Sequence, residues 1–285
     1  MMSGAPGKQY LATQQYRDAS NLNARGSLHA SFGTNHYPWF RWVFDQALSV
    51  APANADILEV GAGPAGLWRE NLDRLPAGWR ISLTDLSEGM VAEQRAALTD
   101  DHPAFRHSVA DVEALPFAES SYDLVIANHM LYHVPDRPRA IAELRRVLRP
   151  GGALVAATNG AHNMRELDDL IYAVTPDAAS AEWRASFRHP FTLENGGEQL
   201  APAFQDIEIR RYEDGLDVTE VEPLVAYILS IDTPAFRLPE TKAAFETRAH
   251  DLLASHDGVF HITKSVGMFV ARRPGSPVAP ARESA

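Results

Sequence analysis

Three glycines follow a short apolar run in the stretch DILEVGAGPAGLW, residues 56–68. Gly61, Gly63 and Gly66 form the pattern G-x-G-x-x-G, which lets the backbone turn tightly and come close to a ligand. A helix that starts here offers unpaired N–H groups and the positive end of its dipole. The pattern therefore indicates a loop that binds a nucleotide cofactor. The glycines alone do not separate a nicotinamide dinucleotide from S-adenosylmethionine.

Two acidic side chains bear on that choice. Asp85 ends the second predicted strand, about twenty residues past the loop, where a carboxylate accepts hydrogen bonds from both ribose hydroxyls of either cofactor. Glu59 stands two residues before Gly61. An acid there suits a cofactor with a cationic amino-acid end, because it would repel a pyrophosphate. Glu59 therefore favours S-adenosylmethionine.

The elements that must position these residues alternate between strands and helices along the chain. Strands are predicted at 55–60, 79–85, 104–111, 121–128, 153–159, 204–213 and 259–273. Helices are predicted at 21–29, 37–49, 66–74, 88–98, 137–149, 219–231 and 235–255. This alternation predicts a doubly wound α/β fold, in which a mostly parallel sheet is covered on both faces.

The domain organisation follows from where the alternation holds and where it breaks. The predicted parts are a helical lid at 1–50, an α/β core at 51–160, a helical cap insertion at 161–203, the rest of the core at 204–273 and a disordered tail at 274–285. The tail is assigned from its content of Pro, Ser and Ala.

Four segments occur in a fixed order: EVGAGPAG, LTDLSEGM, ADVEALPF and LRPGG. With them, residues 55–160 resemble the class I S-adenosylmethionine-dependent methyltransferases that act on small molecules. The resemblance implies S-adenosylmethionine as cofactor and a seven-stranded sheet whose last strand, here 259–273, runs antiparallel. One departure is Ala65, which stands where the family often has a further glycine. We expect this alanine to be tolerated because it is small.

The resemblance also implies which residues surround the cofactor. The candidates for cofactor binding are Tyr16, Arg25, Glu59, Gly61, Ala62, Gly63, Asp85, Leu86, Met90, Asp111, Val112, Asn128 and His129. Asp85 would bind the ribose, Leu86 and Met90 would flank the adenine, and Asp111 with the Val112 backbone would hold the adenine amine. Asn128 and His129 would touch the methionine end.

The N-terminal segment resembles, less specifically, the leader of some small-molecule methyltransferases. By this likeness Tyr16, Asn21 or Arg25 would close over the cofactor. Arg25 is the residue type best suited to pair with the methionine carboxylate. The alternative is an arginine on a solvated helix face.

Methyl transfer needs an aligned acceptor, exclusion of water and, for some acceptors, a general base. His133 is the first candidate base, and Tyr16 and Tyr132 are weaker ones. The alternative is that His133 packs and hydrogen-bonds to the backbone. His129 and His133 are also spaced like a zinc pair, but Met130 stands where such a motif has glutamate, so no metal is expected.

The acceptor site is predicted between the N-terminal helices and the cap. Its candidate wall residues are Phe32, Trp183, Phe187 and Tyr227. Their aromatic character indicates a small aromatic or apolar acceptor, as in secondary metabolism. Whether oxygen, nitrogen or carbon is methylated is left open.

Composition limits the partners. The 285 residues carry a formal net charge of −11, which disfavours nucleic acid, and contain no cysteine. We find no apolar run of membrane-spanning or signal-peptide length, so a cytoplasmic protein without membrane contact is expected, and a homo-oligomer is left open.

Two other functions use the same glycine loop or the same fold. A nicotinamide oxidoreductase would leave Glu59, ADVEALPF and LRPGG unexplained, and the chain has no Tyr-x-x-x-Lys pair. A cofactor-binding protein or a cyclase on the same fold is not distinguished by the sequence.

Overall fold

The computed structural model describes Lys8 and residues 20–99, 102–176, 190–231 and 233–275. The predicted site residues Tyr16, Trp183 and Phe187 lie outside these ranges, as do positions 276–285 of the predicted tail.

Most elements fall where the sequence predicts them. The strands are β1 (Asp56–Val60), β2 (Arg80–Asp85), β3 (Phe105–Val109), β4 (Tyr122–Asn128), β5 (Leu148–Asn159), β6 (Gln205–Tyr212), β7 (Gly215–Val218), β8 (Phe260–Thr263) and β9 (Val266–Arg272). The helices are α1 (Ser20–Phe32), α2 (Trp39–Val50), α3 (Gly66–Arg69), α4 (Glu88–Leu98), α5 (Arg137–Val147), α6 (Arg165–Val174), α7 (Gly196–Leu200), α8 (Val221–Ser230) and α9 (Pro239–Ser255). Short 3₁₀ turns cover Leu72–Arg74, Leu131–His133 and Pro234–Arg237.

Seven strands form one sheet in the order β3-β2-β1-β4-β5-β9-β6. Strands β1 to β5 pair in parallel, whereas β9 runs antiparallel to both of its neighbours. The predicted doubly wound fold and the antiparallel last strand are confirmed. Residues Leu124 to Ala127 of β4 are fully buried, as expected for a parallel strand covered on both faces.

Two apolar layers enclose the sheet. One contains Phe44 of α2 with Trp68 and Trp79. The other contains Leu144 of α5 together with Phe191 and Phe269. Because both faces are covered, polar groups concentrate at the ends of the strands.

A third apolar cluster builds a separate cap. It joins residues of α1, α6, α8 and α9 with β7 and β8, through side chains such as Leu28, Ile171, Leu224, Phe245 and Ile262. The predicted cap segment 161–203 divides between layers: α6 lies in this cap, whereas Phe191 and Leu200 pack against the sheet.

The prediction of one strand over 259–273 is wrong in its first part. The strand is interrupted at Lys264 and Ser265. Strand β8 pairs with β7 in a two-stranded sheet, and β9 alone enters the main sheet. The burial pattern gives the reason. Phe260 and Ile262 alternate with more exposed neighbours, whereas Val266 to Ala271 are continuously buried. Strand β7 was not predicted.

Candidate active site

The glycine loop is fastened to the end of β2. The Ala62 N–H donates to the Thr84 carbonyl at 2.9 Å, and the Gly63 N–H donates to Asp85 Oδ2 at 3.0 Å. Gly61 has φ +62°, and a Cβ built on it would lie 2.9 Å from Cβ of Met130. Both the backbone conformation and the close neighbour therefore require glycine at position 61.

Ala65 adopts the left-handed conformation, with φ 59° and ψ 34°. A non-glycine residue pays roughly 1–2 kcal/mol there. This conformation explains why glycine is common at the position in the family, and the alanine is accommodated, fully buried, at the start of α3.

Asp85 is the centre of the loop's hydrogen bonding. Besides the Gly63 N–H, its carboxylate accepts the Ser87 N–H at 2.9 Å. Burial raises the pKa of Asp85 above its ordinary value, and the backbone N–H groups of Ser87, Gly63 and Leu86 oppose the rise. A carboxylate has about four lone-pair directions, so Asp85 can accept a ribose hydroxyl in addition to these donors.

The residues predicted to surround the adenine of the cofactor lie at the ends of β2 and β3. Met90 and Val112 are buried, and Leu86 is partly buried. Ser87 caps α4 by accepting the Met90 N–H at 3.3 Å, which fixes Met90 beside the Asp85 turn. The predicted adenine-flanking residues are thus held in one place.

Asp111 already has partners for both carboxylate oxygens. Oδ1 accepts the Glu113 N–H at 3.0 Å, and Oδ2 accepts the Lys8 ammonium at 2.6 Å. Lys8 also donates to Glu113 Oε2 at 2.5 Å. Burial raises the pKa of Asp111, but the Lys8 contact brings it below its ordinary value. Each oxygen thus has one donor already, and an adenine amine at Oδ2 would compete with the Lys8 ammonium.

The end of β4 carries Asn128 and His129. Among the described residues, Asn128 Oδ1 is buried and has no hydrogen-bond donor. His129 has a positive φ of 54°, and its ring lies 5.1 Å from the Trp39 ring. An orphaned acceptor at this point suits an ammonium group, as the methionine end of the cofactor provides.

Glu59 is almost fully buried, at 2% exposure, and accepts the indole N–H of Trp68 at 2.5 Å. Burial raises the pKa of Glu59 to about 8, and the charge of Asp85 adds to the rise. Without a ligand the carboxyl is held by Trp68, and its predicted contact with the cofactor stays a prediction.

The two predicted chemistry-bearing histidines lie in the connection after β4: His129 directly follows the strand, and His133 ends a 3₁₀ turn at Leu131–His133. The rings of Tyr132 and His133 are 4.5 Å apart. Within the described ranges, no group of three or more metal-ligating side chains occurs. The role of His133 as base stays a prediction.

Arg25 contacts the cap. Its guanidinium donates to Ser230 Oγ at 3.2 Å and to the Ser230 carbonyl at 2.9 Å, at the end of α8. The predicted acceptor residues Phe32 and Tyr227 both lie in the cap cluster, with 9% exposure each. Their roles stay predictions.

Three other aromatic or imidazole side chains near the end of β4 and the cap are not among the site residues predicted from the sequence: Trp39, Tyr212 and His29. Trp39 begins α2 and contacts both His129 and the edge of the Tyr212 ring, at 5.2 Å. His29 of α1 lies 5.8 Å from the Tyr227 ring. His29 and Trp39 lie on the two consecutive N-terminal helices and Tyr212 ends β6, so no local pattern places their rings beside Tyr227 and His129.

Comparisons with known proteins bear on the same segment. Residues 58–156 match a family described as a methyltransferase domain. This segment, about a third of the chain, is the one that the four sequence segments assign to the class I S-adenosylmethionine-dependent methyltransferases, and the match supports that assignment.

Curated relatives of the chain are named methyltransferases. It is 36% identical over 128 residues to malonyl-[acyl-carrier protein] O-methyltransferase of Enterobacter lignolyticus, covering 43% of this chain and 47% of the relative. It is 32% identical over 114 residues to the ubiquinone/menaquinone biosynthesis C-methyltransferase UbiE of Bordetella avium, covering 39% and 44%. The chain thus spans about half the length of these relatives.

The fold is also similar to that of the [4+2]-cyclase SpnF. The TM-score is 0.60 at 19% identity, over 96% of this chain and 99% of that one. No helix in the described part of the methyltransferase is long and apolar enough to cross a membrane.

S-adenosylmethionine is the cofactor of this family, and the residues present fit it. The glycine loop leaves room for close backbone approach, Asp85 can accept a further donor, and Asn128 Oδ1 is a buried acceptor without a donor in the described part of the chain. A cationic amino acid joined to a ribose matches these three features.

Proposed function

We propose that this methyltransferase transfers a methyl group from S-adenosylmethionine to a small aromatic or apolar acceptor. The observation that carries the proposal is the meeting of Asn128, His129 and Trp39 at the end of β4. When bound, the cofactor supplies an electrophilic methyl group on a sulfonium. A polar anchor on one side and aromatic rings on the other suit that chemistry.

The residues of the chain have separate tasks in this proposal. Asp85 and the glycine loop hold the ribose, and Asn128 holds the ammonium of the methionine part. The rings of Trp39 and His129 exclude water from the transfer point and pack against an apolar acceptor. His133 is the proposed base for an acceptor that must lose a proton.

The acceptor atom is left to experiment. One curated relative is an O-methyltransferase and another a C-methyltransferase. Methylation of an electron-rich ring carbon needs little help from a base, whereas a hydroxyl acceptor has to lose its proton. A His133→Ala variant separates these cases: it should slow transfer to oxygen while leaving cofactor binding nearly unchanged.

The test is turnover with a cofactor carrying a ¹³C-labelled methyl group. The full chain is incubated with phenols, naphthols, quinols and a malonyl thioester, and S-adenosylhomocysteine and methylated products are followed by mass spectrometry and NMR. The Asp85→Ala variant is the inactive control. S-adenosylhomocysteine binding without any transfer would instead favour a cofactor-binding protein or a cyclase on this fold.

A further inference from the structure

His29 lies in the last turn of α1, where the cap meets the sheet edge, and its ring contacts Tyr227 edge-on at 5.8 Å. Its side chain is partly covered, and its Nδ1 atom is buried without a hydrogen-bond partner among the described residues. An unmade hydrogen bond at a buried polar atom costs roughly 1–3 kcal/mol. Such atoms are rare in folded proteins and mark places where a ligand or water belongs.

The surroundings of His29 are charged but balanced. Lys264, in the break between β8 and β9, forms an ion pair with Asp214; their side chains are 11% and 4% exposed. Burial lowers the pKa of His29 to about 3; Lys264 and His129 lower it further and Asp214 opposes them. The ring is therefore neutral at physiological pH, beside a pair whose charges cancel.

A cleft lies beside Asp214, the partner of Lys264, and is reached from His29 through Gly33, whose N–H donates to the His29 carbonyl at 3.0 Å. The cleft has a volume of about 450 Å³ and is lined by residues 34–36, 213–215 and His261.

On another side, Lys264 lies over the Tyr212 ring at 5.8 Å, and that ring contacts Trp39, which contacts His129 at the end of β4. The charged pair beside His29 is thus connected through ring contacts to the predicted methionine end of the cofactor, and His29 itself packs in the cap against Tyr227.

We propose that His29 is an acceptor-binding residue whose Nδ1 pairs with a neutral hydroxyl group of the methyl acceptor. The inference rests on the proposed function and deepens it, because it names the acceptor class: an aromatic or apolar molecule that bears a hydroxyl.

The alternatives to a hydroxyl are disfavoured by charge. A cationic amine would meet the same burial and the same Lys264 ammonium that keep His29 unprotonated. An ionised carboxylate finds no net positive charge, since Asp214 already neutralises Lys264. A hydroxyl both donates and accepts, so it pairs with either tautomer of the ring.

The test uses the full chain saturated with S-adenosylhomocysteine and labelled with ¹⁵N-histidine. The probes are phenol, 1-naphthol and 7-hydroxycoumarin, each paired with its methyl ether, and 1-naphthylamine. We expect the hydroxyl compounds to shift one histidine Nδ1 signal and to bind about tenfold more tightly than their ethers. That signal should be missing in His29→Phe.

Two variants separate the hydrogen bond from packing. His29→Phe keeps a ring against Tyr227 and should lose about tenfold in affinity for the hydroxyl compounds, whereas His29→Asn retains a polar group near the Nδ1 position and should keep most of it. His250→Phe, on the exposed face of α9, is the matched control and should change nothing.

The outcomes separate the two proposals. If S-adenosylhomocysteine does not bind, the proposed function fails. If it binds, but the hydroxyl compounds bind no better than their ethers, bind equally to His29→Phe, or do not bind at all, the His29 assignment alone is overturned. Preferential binding of 1-naphthylamine would overturn the hydroxyl class.

Discussion

Replacement of Glu59 by glutamine should change how the stability of the protein depends on pH. Glu59 is 2% exposed, and burial raises its pKa to about 8 from an ordinary value of 4.5. Glutamine has nearly the same shape, and its carbonyl oxygen still accepts the Trp68 indole N–H. The variant therefore removes the ionisation and keeps the contact.

The direction in which the free energy of unfolding changes with pH follows from proton linkage. Between pH 4.5 and 8 the folded protein holds the Glu59 proton and the unfolded chain releases it. The free energy of unfolding of the wild type thus falls as the pH rises through this window and levels off above it. A shift from 4.5 to about 8 corresponds to roughly 5 kcal/mol at 1.36 kcal/mol per unit.

Urea unfolding of both proteins at several pH values from 5 to about 9, without cofactor, measures this effect. The advantage of Glu59→Gln over the wild type should grow by several kcal/mol across that range. Glu240→Gln, at an exposed position on α9, should run parallel to the wild type. A constant difference between Glu59→Gln and the wild type would refute a protonated, buried Glu59.

Three other substitutions probe the site and its supports. Asp85→Ala should abolish measurable S-adenosylhomocysteine binding in calorimetry, because the ribose acceptor and the Gly63 anchor are lost together. Lys8→Met should tighten that binding by up to about fivefold, since it frees Asp111 Oδ2 from a partly exposed ion pair worth about 0.2–1 kcal/mol. Asp214→Asn should cost about 3–5 kcal/mol in urea unfolding, because it leaves the Lys264 ammonium buried without its counter-charge.

For each of these three predictions, one outcome would contradict the reasoning. Near-normal affinity of Asp85→Ala would remove the ribose assignment. Weaker binding by Lys8→Met would make Lys8 a cofactor contact rather than a competitor. For Asp214→Asn, the double variant with Lys264→Met should recover much of the lost stability; no recovery would mean that the loss arises from other contacts of Asp214, such as the Asn35 N–H.

The fold was predictable because its core consists of strands whose burial is uniform. The run DLVIAN predicts β4, and its central residues are fully buried. Where the burial pattern changes inside a run, the prediction failed: β8 and β9 were joined because the break at Lys264 and Ser265 has no glycine or proline. Strand β7 is four residues long and depends on its pairing with β8.

The site was predictable in the parts that lie at strand ends. Asp85 and Asn128 follow apolar strands, and adjacent parallel strands bring such ends together at one edge. Partners that meet only through packing could not be predicted. Lys8 and Asp111 come from distant segments, as do the surroundings of His29, and Trp68 meets Glu59 across the glycine loop that separates them. Those contacts exist only once α1, α3 and the cap have packed.

The most direct test of the central claim is calorimetric titration of the purified chain with S-adenosylhomocysteine and, separately, with NADH and NADPH. Saturable one-to-one binding of S-adenosylhomocysteine, with no binding of either nicotinamide nucleotide, is the result we predict. Binding of NADH or NADPH instead would contradict the assignment of the glycine loop, Asp85 and Asn128 to S-adenosylmethionine, and would leave only the fold in place.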